Sequence, residues 1–240
     1  MFKYSLLKEK PKEFLTVTGL MPNEFERLLP VFSSKLATLR PLDQTQKGKQ
    51  RQRKKGGGTK GKLQADEDKL LFILEYQKTY PLQTIIGLQY GLSQPQANYW
   101  IHHLMPVLQE TLRELGLTPE RDPEAIAKSP LLKGAAPDFL IDGTERRRQR
   151  PKDSAEQVEH YSGKKKAHTD KNLLLVSSES KKVIYLSSTV GGQTHDKKMA
   201  DENPIRYPNG ATLGKDTGFQ GYEPEGVITF QPKKSRKGKS

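Results

Sequence analysis

The sequence predicts an α + α/β chain, a helical N-terminal half followed by a half of short strands with a helix among them. Three observations carry that expectation. Apolar residues recur at helical spacing over residues 66–115. A stretch rich in Pro, Gly and Ala follows at 116–136, and from Pro137 the pattern changes to short apolar runs bounded by Gly, Ser and charged clusters, which is how strands read. At about 150 residues per domain, 240 residues allow one or two domains, and 33% hydrophobic residues with a mean hydropathy of −0.79 argue against one large core.

Composition narrows the function classes. Lys and Arg number 41 against 28 Asp and Glu, a formal charge of +13 and a pI near 9.7, which favours a polyanionic partner. The absence of cysteine excludes disulfides, thiolate zinc sites and a cysteine nucleophile, and it suits a reducing cytosol. Any metal must therefore sit on oxygen or imidazole. No apolar run reaches 18 residues, and the N-terminus lacks the apolar core and small-residue cleavage site of a signal peptide. A soluble, cytoplasmic protein with no membrane partner is expected.

The N-terminal residues 1–43 read as a small helical lead-in, with Pro11, Gly19, Pro22 and Pro30 dividing it and Asn23 placed to cap a helix over residues 24–29. Residues 44–62 hold eight Lys or Arg, no acid and no large apolar side chain, so they read as a basic flexible arm. Such a segment serves either as a solvated linker or as a DNA-phosphate contact through Arg51, Arg53, Lys54 and Lys55.

Residues 63–116 form the first domain proper. The run DEDKLLFILEYQKTY places Leu70, Leu71 and Leu74 on recurring turns, with acids in the first turn favoured by the helix dipole. A short helix fits PLQTIIGLQYG, opened by Pro81 and stopped by Gly91. A longer one follows, with Ser93 as N-cap, Pro95 in the first turn and an apolar stripe of Trp100, Ile101, Leu104 and Leu108. A short helix, a tight turn with glycine and a longer helix with a polar first turn outline a helix-turn-helix. Its second helix would enter the major groove, where Ser93, Gln94, Gln96, Asn98 and Tyr99 offer groups for base edges or phosphates. A plain helical bundle fits the same pattern, and the basic arm favours DNA. His102 and His103 read as surface residues.

Residues 117–136 read as a linker with one short helix, and residues 137–240 as a second domain. PDFLIDGTE reads as a strand ending in Asp142 before a glycine turn; KNLLLVSS and KKVIYLSS read as an antiparallel hairpin. A loop opens a helix near His195, with Asp196 expected as its cap, ATLGKD is a strand ending at Asp216, and EGVITFQP is one more. Two carboxylates, each where an apolar strand gives way to a glycine turn, suit hard divalent ions such as Mg²⁺ or Mn²⁺. Two such ions support in-line phosphodiester chemistry. Each acid alone reads as a turn residue. The basic residues nearby, Arg146, Arg147, Arg148, Arg150 and Lys152, then Lys164, Lys165 and Lys166, favour the metal reading because they suit a nucleic-acid backbone.

The segments IDGTERRRQRPKD, YSGKKKAHTDKN, GGQTHDKK and DTGFQGY together resemble the catalytic domain of DDE-type transposases of bacterial insertion sequences, in particular the large family numbered five. The run LLFILEYQKTYPLQTIIGLQYGLSQPQANYWIHHL resembles the helix-turn-helix that precedes that domain. The resemblance implies a ribonuclease H-like mixed sheet, with the first catalytic acid, Asp142, on the central strand and the second, Asp216, after the fourth. It also implies cleavage at element ends and strand transfer to target DNA, with Mg²⁺ (or Mn²⁺) bound by Asp142 and Asp216. Partners would be double-stranded DNA of the terminal repeats and target, and further copies of the chain, in the bacterial cytoplasm at the nucleoid.

One departure qualifies this resemblance. The family's third acid is a Glu on a helix well downstream, whereas this sequence ends 24 residues after Asp216, and Glu223 and Glu225 lie in a YEPEG turn. The expectation is an incomplete endonuclease domain, impaired by itself, with a downstream-frame product or a full-length transposase as partner. The alternative is a non-catalytic DNA-binding regulator of transposition.

Overall fold

The computed structural model describes residues 2–39, 49–50, 61–133 and 135–232. The chain forms two compact units, Met1–Leu115 and Gly116–Ser240. No helix among the described residues is long and apolar enough to cross a membrane.

Among the described residues, the first unit contains the helices α1 (Tyr4–Leu7), α2 (Pro11–Thr18), α3 (Pro22–Leu39), α4 (Asp66–Thr79), α5 (Gln83–Tyr90) and α6 (Gln94–Glu114). The expected short helix near residue 24 is in fact α3, 18 residues long and running through Pro30. Its buried side chains Phe25, Leu28, Phe32 and Leu36 recur every three or four residues. That burial outweighs the local cost of an interior proline. Asn23 lies inside the helix; the Glu24 carboxylate caps its start by accepting from Met21 N at 2.7 Å. The lead-in is therefore part of the core, with α3 packed on α4 and α6.

At the centre lies α4, whose residues Leu70, Leu71, Phe72, Ile73, Leu74 and Glu75 are all buried. A helix covered on every side needs no amphipathic stripe. Glu75 has a partner in this apolar setting: the Tyr90 hydroxyl donates to it at 2.7 Å. Burial raises the Glu75 pKa, and hydrogen bonds from Tyr90 and Gln89 offset this only in part. Burial and the Glu75 charge likewise push the Tyr90 phenol upward.

The second unit is a mixed sheet with helices. It contains β1 (Asp138–Arg147), α7 (Ser154–His160), β2 (Tyr161–Ser162), β3 (Ala167–Ser177), β4 (Val183–Leu186), β5 (Val190–Gly191), α8 (Asp196–Glu202), β6 (Thr212–Lys215) and β7 (Ile228–Phe230). The strand order is β2-β3-β1-β6-β7, with β4 and β5 also on β3. β3 runs antiparallel to β1 and β4, whereas β6 is parallel to β1 and β7 parallel to β6. One face, with Phe139, Ile141, Leu173, Leu175 and Leu213, forms a core with Met199 and Ala200 of α8. Ile126 and Leu131, from the segment expected to be a linker, belong to the same core.

Two local features differ from expectation. β1 does not turn at Gly143 but continues to Arg147, because its pairing with β3 runs unbroken from Phe139↔Ser177 to Arg147↔Thr169. The helix α7 arises where none was expected. The Asp153 side chain caps it by accepting from Glu156 N at 3.0 Å, a start signal present in the sequence DSAE.

Candidate functional site

The parallel register of β1 and β6 sets the geometry of the two aspartates. Asp138 pairs with Thr212 and each step keeps phase up to Ile141↔Lys215. The next residues are Asp142, still on β1, and Asp216, just past the end of β6, so each acid directly follows the last paired residues of the two neighbouring strands. Both are exposed. Oδ1 of Asp142 accepts from Gly143 N at 2.8 Å, and Oδ1 of Asp216 accepts from Gly218 N at 2.8 Å, which makes Asp216 the cap of a 3-10 turn over Thr217–Phe219. An open depression lined by Leu140, Phe230, Gln231 and Pro232 borders Asp216.

These two groups suit a hard cation: they are oxygen donors, exposed, and neither is paired with a Lys or Arg among the described residues. In this arrangement no three His, Asp or Glu side chains among the described residues converge to hold an ion. Glu223 is engaged elsewhere. It accepts from the buried Lys215 ammonium at 2.5 Å and from Thr229, and these bonds hold its carboxyl below the ordinary glutamate value.

A third carboxylate close to the pair had been expected to act only as a helix cap. His195 is the N-cap of α8, without a side-chain capping bond, and Asp196 is the first helical residue. Asp196 pairs with Lys171 Nζ at 3.3 Å, and that ammonium also donates to Thr194 O at 2.9 Å. The Asp196 carboxylate lies against the α-carbons of Gly143 and Gly218. The recurrence of glycine after each strand acid was the available sequence signal.

Of the basic residues at the end of β1 and just beyond it, Arg146 donates to Asn172 Oδ1 at 2.7 Å and Arg148 to Asp170 Oδ1 at 3.0 Å, so both are held by β3. Arg147, Lys164 and Lys165 project from exposed positions, the lysines in the turn between β2 and β3. Arg51, Arg53, Lys54 and Lys55 lie outside the described residues.

In the first unit, α5 ends at Tyr90 with Gly91 as its C-cap at φ 68°, and α6 begins at Gln94 with Ser93 as its N-cap, after a three-residue connection. Ser93 and Gln96 form a capping box, the Gln96 side chain accepting from Ser93 N at 2.9 Å. Gln94 donates to the Gln83 side chain at 2.6 Å, Asn98 is half-buried and Tyr99 is exposed, its ring stacked on His103. Polar groups thus cluster on the first turns of α6. Trp100 packs against the core, and His102 is exposed.

Comparison with known proteins agrees with this layout. Residues 61–114 match the family described as the helix-turn-helix of DDE superfamily endonuclease, and residues 141–239 match the DDE superfamily endonuclease family. A protein of Microchaete diplosiphon described as the probable transposase for insertion sequence element IS702 is 28% identical over 189 residues, covering 78% of this chain and 64% of that relative. No solved structure gives a significant match. A helix-turn-helix region ahead of an endonuclease region, both matched in order, makes the chain similar to DDE superfamily endonucleases, and over less than two thirds of that relative's length to an insertion-sequence transposase.

Proposed function

We propose that the chain binds the ends of an insertion sequence through its helix-turn-helix and contributes Asp142 and Asp216 to metal-dependent DNA cleavage and strand transfer. The observation that carries this reading is the parallel β1–β6 register, which brings two exposed aspartates directly after the last paired residues of neighbouring strands in a chain matched by both family descriptions. A ribonuclease H-like fold is supported by the mixed sheet, with Asp142 on its central strand and Asp216 past β6, the fourth of the strands longer than two residues before β7. Asp142 and Asp216 would hold Mg²⁺ or Mn²⁺. A bound ion of this kind activates the attacking oxygen and stabilises the leaving one.

The remaining residues hold the substrate. The first turns of α6, with Gln94, Asn98 and Tyr99, read one groove, with Ser93 and Gln96 fixing the helix start. Arg147, Lys164 and Lys165, towards the end of β1 away from Asp142, neutralise backbone phosphates farther along the DNA, and Arg146 and Arg148, bonded to β3 side chains, add positive charge at that end. The test is to incubate the purified chain with labelled terminal-repeat DNA and Mg²⁺ or Mn²⁺. Specific binding and end nicking that require Asp142 and Asp216 are expected. Specific binding without nicking would instead favour a regulator that occupies the ends.

A further inference from the structure

We infer that Asp196 is a positioning residue of the metal centre, a third carboxylate that acts on the ion from the start of α8. This rests on the proposal that Asp142 and Asp216 hold a divalent cation. Three observations on the chain's own residues lead to it.

The first is proximity. Asp196 Oδ2 and Asp216 Oδ1 each lie 3.0 Å from the point where a Gly218 β-carbon would stand, so the two oxygens are no more than twice that distance apart. The other Asp196 oxygen, Oδ1, lies 2.7 Å from the corresponding point on Gly143, the residue after Asp142. A side chain larger than hydrogen at either glycine would displace this carboxylate. The second is electrostatic. Two carboxylates this near each other repel unless cations offset both; Lys171 pairs with Asp196, and Asp216 has no cationic partner among the described residues. The third is restraint. The Asp196 carboxylate is held on one side by Lys171, whose ammonium is itself fixed by Thr194 O, and on the other by the two glycines.

The strand geometry defines how Asp196 acts. Side chains alternate along β1, so Asp142 leaves on the side of exposed Leu140, while the Gly143 position faces Asp196. Asp196 therefore does not join Asp142 and Asp216 as a third direct ligand in this arrangement. It adds negative charge beside Asp216 and offers an acceptor for water on the ion. Lys171 opposes that charge and sets where the carboxylate points. Outer partners of this kind are worth roughly 10- to 100-fold in metal affinity.

The test is Mn²⁺ titration of the full chain followed by electron paramagnetic resonance, with water relaxation as a second signal and circular dichroism as a control for folding. Asp196→Asn is expected to weaken Mn²⁺ binding roughly 10-fold or more, with Asp196→Glu restoring part of it. Lys171→Met, which removes the opposing charge, is expected to tighten it. If Asp142→Asn and Asp216→Asn weaken binding but Asp196→Asn does not, the inference fails and the proposed function stands. If none of the three changes binding, the proposed function fails and the inference fails with it. Should Asp196→Asn not fold, an unchanged affinity in Lys171→Met overturns the inference.

Discussion

The Oδ1 atom of Asp196 stands 2.7 Å from the place a β-carbon on Gly143 would occupy, closer than a real β-carbon tolerates. Gly143 lies inside β1, paired with Leu173, so the backbone has little freedom to retreat. Gly143→Ala therefore turns the Asp196 carboxylate aside, and because that group is the end of a side chain that can rotate, a loss of about 1 kcal/mol is expected, the low end of the cost of forcing atoms into a packed site. Denaturant unfolding checks it. Gly210→Ala serves as a comparison: no atom lies within 4 Å of its β-carbon position, and its cost comes only from a positive φ of 72°.

Asp142→Asn and Asp216→Asn are each expected to abolish nicking of terminal-repeat DNA without lowering DNA affinity. Both side chains are exposed, and each forms its one hydrogen bond to nearby backbone, which an asparagine oxygen also accepts. The loss therefore follows from charge, with the fold preserved. Removing a negative charge close to DNA also favours binding. Paired measurement of nicking and fluorescence anisotropy separates the two effects.

The helical half was legible where local signals sufficed. Ser93 with Gln96, Gly91 and the acids opening α4 mark helix ends in short sequence windows, and the structure places those ends within a few residues. By itself Pro30 predicts a break after residue 29, whereas tertiary burial of Phe25, Phe32 and Leu36 decides the length of α3. In the sheet, each long strand announced itself, but partners and register are non-local. Nothing in the run around Asp142 shows that it lies beside Asp216. Asp196 was read as a cap for the same reason: its neighbours Gly143, Lys171 and Gly218 come from three distant segments.

A pH dependence is expected from Glu75. Its carboxyl is buried and its pKa is raised, so the folded state holds a proton that the unfolded state has already released. Stability of the first unit is fully retained below the ordinary glutamate value and falls as pH climbs from there through the raised folded value. Glu75→Gln, which still accepts from the Tyr90 hydroxyl, is expected to remove that decline. Thermal unfolding of parent and variant as pH is raised from the ordinary glutamate value, about 4, checks it; parallel profiles would refute it.

The turn between α5 and α6 gives a prediction that joins stability to recognition. A β-carbon at Gly87 would meet Leu92 O at 2.8 Å and Ser93 O at 3.5 Å, so the absence of a side chain lets the start of α6 fold back against α5. The Leu92 amide closes the turn by donating to Gly87 O at 2.7 Å. Gly87→Ala pushes on backbone, which yields less readily than a flexible side chain, and a loss of about 1–3 kcal/mol is expected. The change also shifts Ser93 and the polar first turn of α6. Affinity for terminal-repeat DNA should then fall more than affinity for unrelated DNA, because groove reading depends on placement whereas phosphate contacts tolerate displacement. Anisotropy titrations with both DNAs at matched salt measure this difference, and an equal loss on both would separate the turn from sequence reading.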